Sequence, residues 1–157
     1  MTLATPRTTV LLAEDDGEDW ILTKAAFARA NPAVQLERFP NGLELLNHVL
    51  RLRRDDSMHD AIWPGFILLD LNMPKLDGWE VLSQIKSDPR LRSIPVVIFS
   101  TSNSIRDVWR AYQSGANSFL TKPASLQDLI QAVGISAKYW LETVQQPPDE
   151  RQAFLSE

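Results

Sequence analysis

The run Phe66-Ile67-Leu68-Leu69-Asp70 restricts the fold more than any other part of the chain: an unbroken apolar segment that ends in a carboxylate. It is too short for a helix, and residues apolar on both alternating faces do not suit a strand with one side in water. It reads as a strand covered on both faces. Val10 to Ala13 has the same character and stops at Glu14-Asp15-Asp16. Pro95-Val96-Val97-Ile98-Phe99 runs into polar Ser100 to Ser104, and Val34 to Phe39 and Ser118-Phe119-Leu120 complete the strand candidates.

Helical spacings lie between these runs. Ile21, Leu22, Ala25, Ala26 and Ala30 recur until Asn31-Pro32 ends them. Leu43, Leu45, Leu46, Val49, Leu50 and Leu52 mark a second helix, Val81, Leu82 and Ile85 a third, and Val108, Trp109 and Tyr112 a fourth that stops at Gly115. Leu126 opens a long fifth. Strands that alternate with helices, and are too apolar to face water, predict an α/β domain: a five-stranded parallel sheet with helices on both faces and right-handed crossovers. No internal linker divides the body. Only 145–157 loses the pattern, where Pro147-Pro148 breaks the last helix.

The 157 residues suit one domain, with 44% hydrophobic and 23% charged residues as in ordinary globular proteins. A net charge of −4 and the lack of a basic run argue against a nucleic-acid partner. Arg51, Arg53 and Arg54 are followed at once by Asp55 and Asp56, and read as a solvated helix end. Without cysteine there is neither a disulfide nor a thiolate metal site. No apolar stretch approaches the roughly 20 residues of a membrane span, and Met1 to Thr9 lacks the apolar core of a signal peptide. A cytoplasmic protein that contacts neither nucleic acid nor membrane is expected.

In an open parallel sheet, ligands bind beyond the carboxyl ends of the strands. The notable polar residues fall at such ends: Glu14 and Asp15 after the first strand, Asp70 after the third, Ser100 after the fourth, Lys122 just past the fifth. Two carboxylates about 4 Å apart repel by about 4 kcal/mol at an effective dielectric near 20. A cluster of three persists when a cation shares it or when protons return. Oxygen ligands with no histidine or cysteine nearby point to Mg²⁺; separate surface acids are the plain alternative. Lys122 and Ser100 supply a positive charge and a hydroxyl for a phosphoryl group on Asp70, and backbone N–H groups near Thr101 add a donor. An aspartate can accept a phosphoryl group as an acyl phosphate.

At this point the chain resembles the response-regulator receiver family. The resemblance rests on Leu11 to Asp16, on Ile67 to Pro74 with Asp77-Gly78, on Val96 to Ser100, and on Phe119-Leu120-Thr121-Lys122-Pro123. It covers 8–144 and leaves 145–157 as a C-terminal tail, a candidate dimer arm. It implies a flavodoxin-like strand order 2-1-3-4-5 and a role in a two-component phosphorelay: accepting a phosphoryl group from a sensor histidine kinase and signalling by changing shape. Asp70 would be the phosphoacceptor, Asp15 a direct Mg²⁺ ligand, Glu14 a ligand through water, and Asn72 a ligand through its backbone carbonyl. Ser100 and Lys122 would bind phosphoryl oxygens, Phe119 would be the switch aromatic, and the Lys122–Pro123 bond would be cis. Glu14 stands where the family more often has aspartate, and Asp16 is an extra acid read as a loop or helix-cap residue. Asn72 and Ser102 match variable positions that tune how long the phosphate survives.

The polar insert before the third strand, the run Leu71 to Trp79, and Tyr139-Trp140-Leu141 also resemble the single-domain regulators that partner bacterial phytochromes. Such a chain is not an enzyme acting on a separate substrate. His48 and His59 each stand alone and are expected to be ordinary surface residues. Trp20, Trp79 and Trp109 are expected to serve packing or partner contacts, and Trp63 to cap the core where the insert rejoins the sheet.

Leu126, Leu129, Ile130, Val133, Ala137, Trp140, Leu141 and Val144 form one apolar stripe on a helix from Ser125 to Gln145, about 30 Å long. Such a helix would overhang the core. The overhang, with Ile135, Tyr139 and Trp140, is expected to form a homodimer interface that Phe154 and Leu155 clasp. Two rival functions are weaker. A haloacid-dehalogenase-type phosphatase needs a second aspartate at the position of Asn72, and a degenerate receiver that only binds partners would not need the complete acid set with Ser100 and Lys122.

Overall fold

A computed structural model describes residues 7–54 and 63–148. Among the described residues strands and helices alternate: β1 Thr9–Ala13, α1 Gly17–Ala30, β2 Gln35–Phe39, α2 Gly42–Arg54, β3 Phe66–Leu69, α3 Gly78–Ser87, β4 Val96–Ser100, α4 Ile105–Gln113, β5 Ser118–Thr121 and α5 Leu126–Ala137. The strands form one sheet in the order β2-β1-β3-β4-β5, and every pairing is parallel.

Strand alternation divides the core in two. Leu11 and Ala13 of β1, Ile67 and Leu69 of β3, and Ile98 of β4 pack on Leu45 and Val49 of α2, Val81, Leu82 and Ile85 of α3, and Ala111 of α4. Val10, Leu12, Phe66, Leu68 and Phe99 point the other way, onto Ala26 and Phe27 of α1 and Leu129, Val133 and Ala137 of α5. The expectation of strands closed to water holds for β1, β3 and β4, all fully buried. The outer strands differ because each has only one neighbour: β2 alternates exposed Gln35 and Glu37 with half-buried Leu36 and Arg38, and β5 is half-buried.

Each of α1 to α5 starts at the carboxyl edge of the sheet behind a polar cap. The side chains of Asp16, Asp77, Ser104 and Ser125 accept the backbone N–H three residues on, as does Asn41 from Glu44. Asp16 is thus the helix-cap residue its position predicted. Gly115, at φ 98°, takes the left-handed conformation that terminates α4.

Four expectations change. The last helix does not run unbroken: α5 stops at Ala137, and Lys138–Thr143 widen into a π-helical stretch closed by Val144 N–H donating to Tyr139 O at 3.0 Å. Its stripe is also not left overhanging. Leu141 is buried and Trp140 half-buried against the α1/α5 core, and Leu141 reaches inward because Gly65 has no Cβ to meet its methyl. Gln146 then closes the end by donating to Arg7 O at 2.9 Å and accepting from Arg7 N–H at 2.8 Å. His48 is not a solitary polar residue: its ring lies 4.9 Å from that of Phe39, and burial lowers its pKa. Lys122–Pro123 is trans, since no described peptide is cis; trans is the lower-energy isomer, and the lysine reaches its partners without the turn a cis bond would give. Trp63 packs on the core as expected, whereas His59, Phe154 and Leu155 lie outside the described residues.

Candidate phosphoacceptor site

The ends of β1 and β3 lie side by side, because Ala13 pairs with Leu69 and Asp70 N–H donates to Ala13 O. That pairing carries Glu14, Asp15 and Asp70 to one place. A carboxylate oxygen from each lies within 4.8 Å of the others, with Glu14 and Asp70 buried and Asp15 exposed. The chain past Asp70 turns tightly against α3. Gly78 N–H donates to Leu71 O at 2.9 Å, and a Cβ on Gly78 would overlap the Asp70 carbonyl. Asp70 Oδ1 accepts from the backbone N–H of Asn72 at 3.3 Å, while the Asn72 side chain is exposed.

Lys122 enters from the end of β5, held by its own N–H on Ser100 O at 2.7 Å. Its ammonium donates to Glu14 Oε2 at 2.6 Å, Asp19 Oδ2 at 3.0 Å and Asp70 Oδ2 at 3.3 Å. Ser100 is completely buried at the end of β4, where its Oγ accepts from Ser102 N–H at 3.2 Å. Thr101 next to it is exposed. Phe119 pairs with Ile98 and packs half-buried on the α2/α3 side of the core, two residues before Thr121 faces Ser100 in the register.

Ser102 has a further partner, donating its hydroxyl to Asp107 Oδ2 of α4 at 2.6 Å. The polar set predicted at one edge is therefore assembled. Ile135, Tyr139 and Trp140 stand apart from it on the last helix, with Ile135 and Tyr139 exposed.

Burial dominates the electrostatics. It pushes the Glu14 carboxyl up to about 7, although Lys122 pulls the other way, and Asp70 adds repulsion. Burial likewise raises Asp70, again against Lys122. Lys122 is raised as well, but by its partners: burial would lower it, and its bonds to Glu14 and Asp19 and the charge of Asp70 outweigh that. Glu14, Asp15, Asp19 and Asp70 outnumber the one ammonium and leave negative charge in excess, and the converging hard oxygens of Glu14, Asp15 and Asp70 fit a divalent cation of the Mg²⁺ type.

Two members of the site were not legible beforehand. Asp19 sits in the first turn of α1, where an acid needs no other explanation than the helix N-terminus; its spacing four residues after Asp15 was the available clue. Arg38 lies on the edge strand, and donates Nε to Glu14 O at 3.0 Å and Nη2 to Asp15 O at 3.2 Å, fixing the acid-bearing loop. A basic residue alternating along β2 carries no sign of that role.

A family model described as the response regulator receiver domain matches residues 10–134. The chain belongs to that family. It is a receiver domain of two-component response regulators. Among its relatives is the response regulator Rcp1 of Synechocystis sp., 37% identical over 142 residues, which covers 90% of this chain and 95% of Rcp1. The probable methanogenesis regulatory protein FilR2 of Methanothrix harundinacea is 42% identical over 132 residues, covering 84% of this chain and 83% of FilR2. Among solved structures, the phosphorylated cyanobacterial phytochrome response regulator RcpA superposes with a TM-score of 0.76 at 37% identity, covering 90% of this chain and 99% of RcpA. No helix among the described residues is long and apolar enough to cross a membrane.

Proposed function

We propose that Asp70 accepts a phosphoryl group from a sensor histidine kinase and that the chain signals by the change of shape that follows. The observation that carries this reading is the meeting of buried Asp70 and Glu14 with exposed Asp15 in one carboxylate cluster that Lys122 partly neutralises. The carboxylate oxygen of Asp70 attacks phosphorus in line. A P–O bond forms, the P–N bond of phosphohistidine breaks, and the imidazole leaves with the electron pair.

Glu14, Asp15, Asp70 and the backbone carbonyl of Asn72 are the residues we assign to Mg²⁺, Glu14 through water. When bound, the cation supplies charge neutralisation to the transferring group. Lys122 offers an ammonium to a phosphoryl oxygen, Ser100 its hydroxyl, and Thr101 its backbone N–H. Phe119 sits two strand positions from the pairing of Thr121 with Ser100 and is the aromatic we assign to the switch. Movement of Ser100 would be felt at α4 through Ser102 and Asp107.

The finer assignment is that the kinase is a bacterial phytochrome. Rcp1 and RcpA, similar over nearly the full chain, support it, RcpA being described as a phytochrome response regulator. We also propose a homodimer through exposed Ile135 and Tyr139 with Trp140, the tail 145–157 with Phe154 and Leu155 serving as an arm beside the 8–144 receiver unit. The site of action is the cytoplasm, and the output is protein binding, not turnover of a separate substrate.

Borohydride trapping tests the central assignment. Chain exposed to acetyl phosphate and Mg²⁺, then reduced and digested, should carry homoserine at Asp70. Homoserine at another acid, with Asp70 intact, would refute it.

A further inference from the structure

The Lys122 ammonium has three protons and spends them on three carboxylates: Glu14 Oε2 at 2.6 Å, Asp19 Oδ2 at 3.0 Å and Asp70 Oδ2 at 3.3 Å. Glu14 and Asp70 are also two of the three acids whose oxygens converge for a cation. Asp19 lies outside that group. It stands in the first turn of α1, where its N–H is taken by the Asp16 cap and where an acid is stabilised by the helix N-terminus. That helix role leaves a carboxylate free to face water. Here its side chain is 37% exposed and turned onto the lysine of the site.

We infer that Asp19 is a positioning residue for phosphoryl transfer. It anchors Lys122 on the α1 side, so that Glu14 and Asp70 can give oxygens to the cation while the ammonium stays within reach of the phosphoryl group. The inference rests on the assignment of Asp70 and of the cation cluster made above. Its physical core is competition. With Asp19 present, the ammonium has an acceptor that the cation does not need. Without it, Lys122 has only Glu14 and Asp70, and cation and ammonium contend for the same oxygens.

Asp19 also adds negative charge near the site, so loss of charge must be separated from loss of the anchor. Glu18 provides the control. It precedes Asp19 in the same turn, is exposed, and is not among the acceptors of Lys122. Glu18→Gln and Asp19→Asn remove the same charge from neighbouring positions, and only the second removes the anchor.

The test is calorimetric titration of the full chain with Mg²⁺ alone, which needs no phosphoryl donor. Asp19→Asn should weaken Mg²⁺ binding about fivefold to tenfold, as expected for one charge-assisted hydrogen bond at a part-exposed site. Glu18→Gln should stay within about twofold of the wild type, the loss that screened charge alone produces. Asp19→Glu, which keeps the charge and can still reach Lys122, should recover to within about threefold. Equal losses in Asp19→Asn and Glu18→Gln would overturn the inference in favour of bulk charge. So would an Asp19→Asn variant that binds like the wild type, or an Asp19→Glu variant no better than Asp19→Asn. Absence of Mg²⁺ binding in the wild type would overturn the cation assignment itself, and the inference with it.

Discussion

Glu14 is almost wholly buried, and it shares the single ammonium of Lys122 with Asp19 and Asp70. Burial lifts its carboxyl from the ordinary 4.5 to about 7, with Lys122 opposing the rise and Asp70 adding to it. Between those two values the folded chain keeps a proton that the unfolded chain has released. Stability from this source is therefore complete below about 4.5 and is lost as pH rises through about 7. A difference of about 2.5 pH units, at about 1.36 kcal/mol each, is worth about 3 kcal/mol. For a chain of this size that corresponds to a fall in melting temperature of about 6–12 °C. Asp70, raised by the same cause, acts in the same direction.

His48 acts in the opposite direction, because burial lowers its pKa and stability there is lost as pH falls. The decisive quantity is thus the difference between wild type and Glu14→Gln, which removes the Glu14 titration and leaves His48 unchanged. The assay is thermal denaturation followed by circular dichroism from about pH 5 to about pH 7.5, in chelator and in millimolar Mg²⁺. In chelator the wild type should lose several degrees more than Glu14→Gln. Mg²⁺ should remove most of that loss, because it binds the ionised cluster of the folded state alone. Equal pH profiles for the two proteins in chelator would refute the reasoning.

Lys86 joins three parts of the chain by donating to Arg92 O at 3.0 Å, Ile94 O at 2.8 Å and Asn117 Oδ1 at 3.0 Å. Lys86→Met should cost about 2 kcal/mol in urea denaturation and leave Mg²⁺ affinity unchanged. Gly78→Ala puts a methyl group onto the Asp70 carbonyl, and should lower both stability, by about 2 kcal/mol, and the phosphorylation rate with acetyl phosphate. Leu141→Ala, which empties a buried contact beside Gly65, should cost about 3 kcal/mol, whereas exposed Tyr139→Ala should change monomer stability by less than about 0.5 kcal/mol. Sedimentation should show Tyr139→Ala shifted toward monomer relative to the wild type; a wild type that is monomeric at tens of micromolar would contradict the proposed dimer.

The sheet was readable because its central strands are short and apolar on both faces, a pattern that Val10 to Ala13, Phe66 to Leu69 and Val96 to Phe99 share and that few other elements tolerate. The acid-ended strands then put Glu14, Asp15, Asp70, Ser100 and Lys122 at one edge by topology alone. What stayed hidden was set by side-chain reach. Nothing in the α1 pattern says that Asp19 turns toward Lys122 instead of water, nor that Arg38 ties down the acidic loop. The end of α5 was misread for a different reason. Apolar spacing does not distinguish an α-helix from one widened by a π-turn, and the space that accepts Leu141 is made by Gly65, some seventy-six residues earlier in the chain.

Intact mass after incubation with acetyl phosphate tests the assignment of Asp70 most directly. The expected result is one phosphoryl group on the wild type with Mg²⁺, none in chelator, and none on Asp70→Asn under either condition. A phosphoryl group that persists on Asp70→Asn would contradict it.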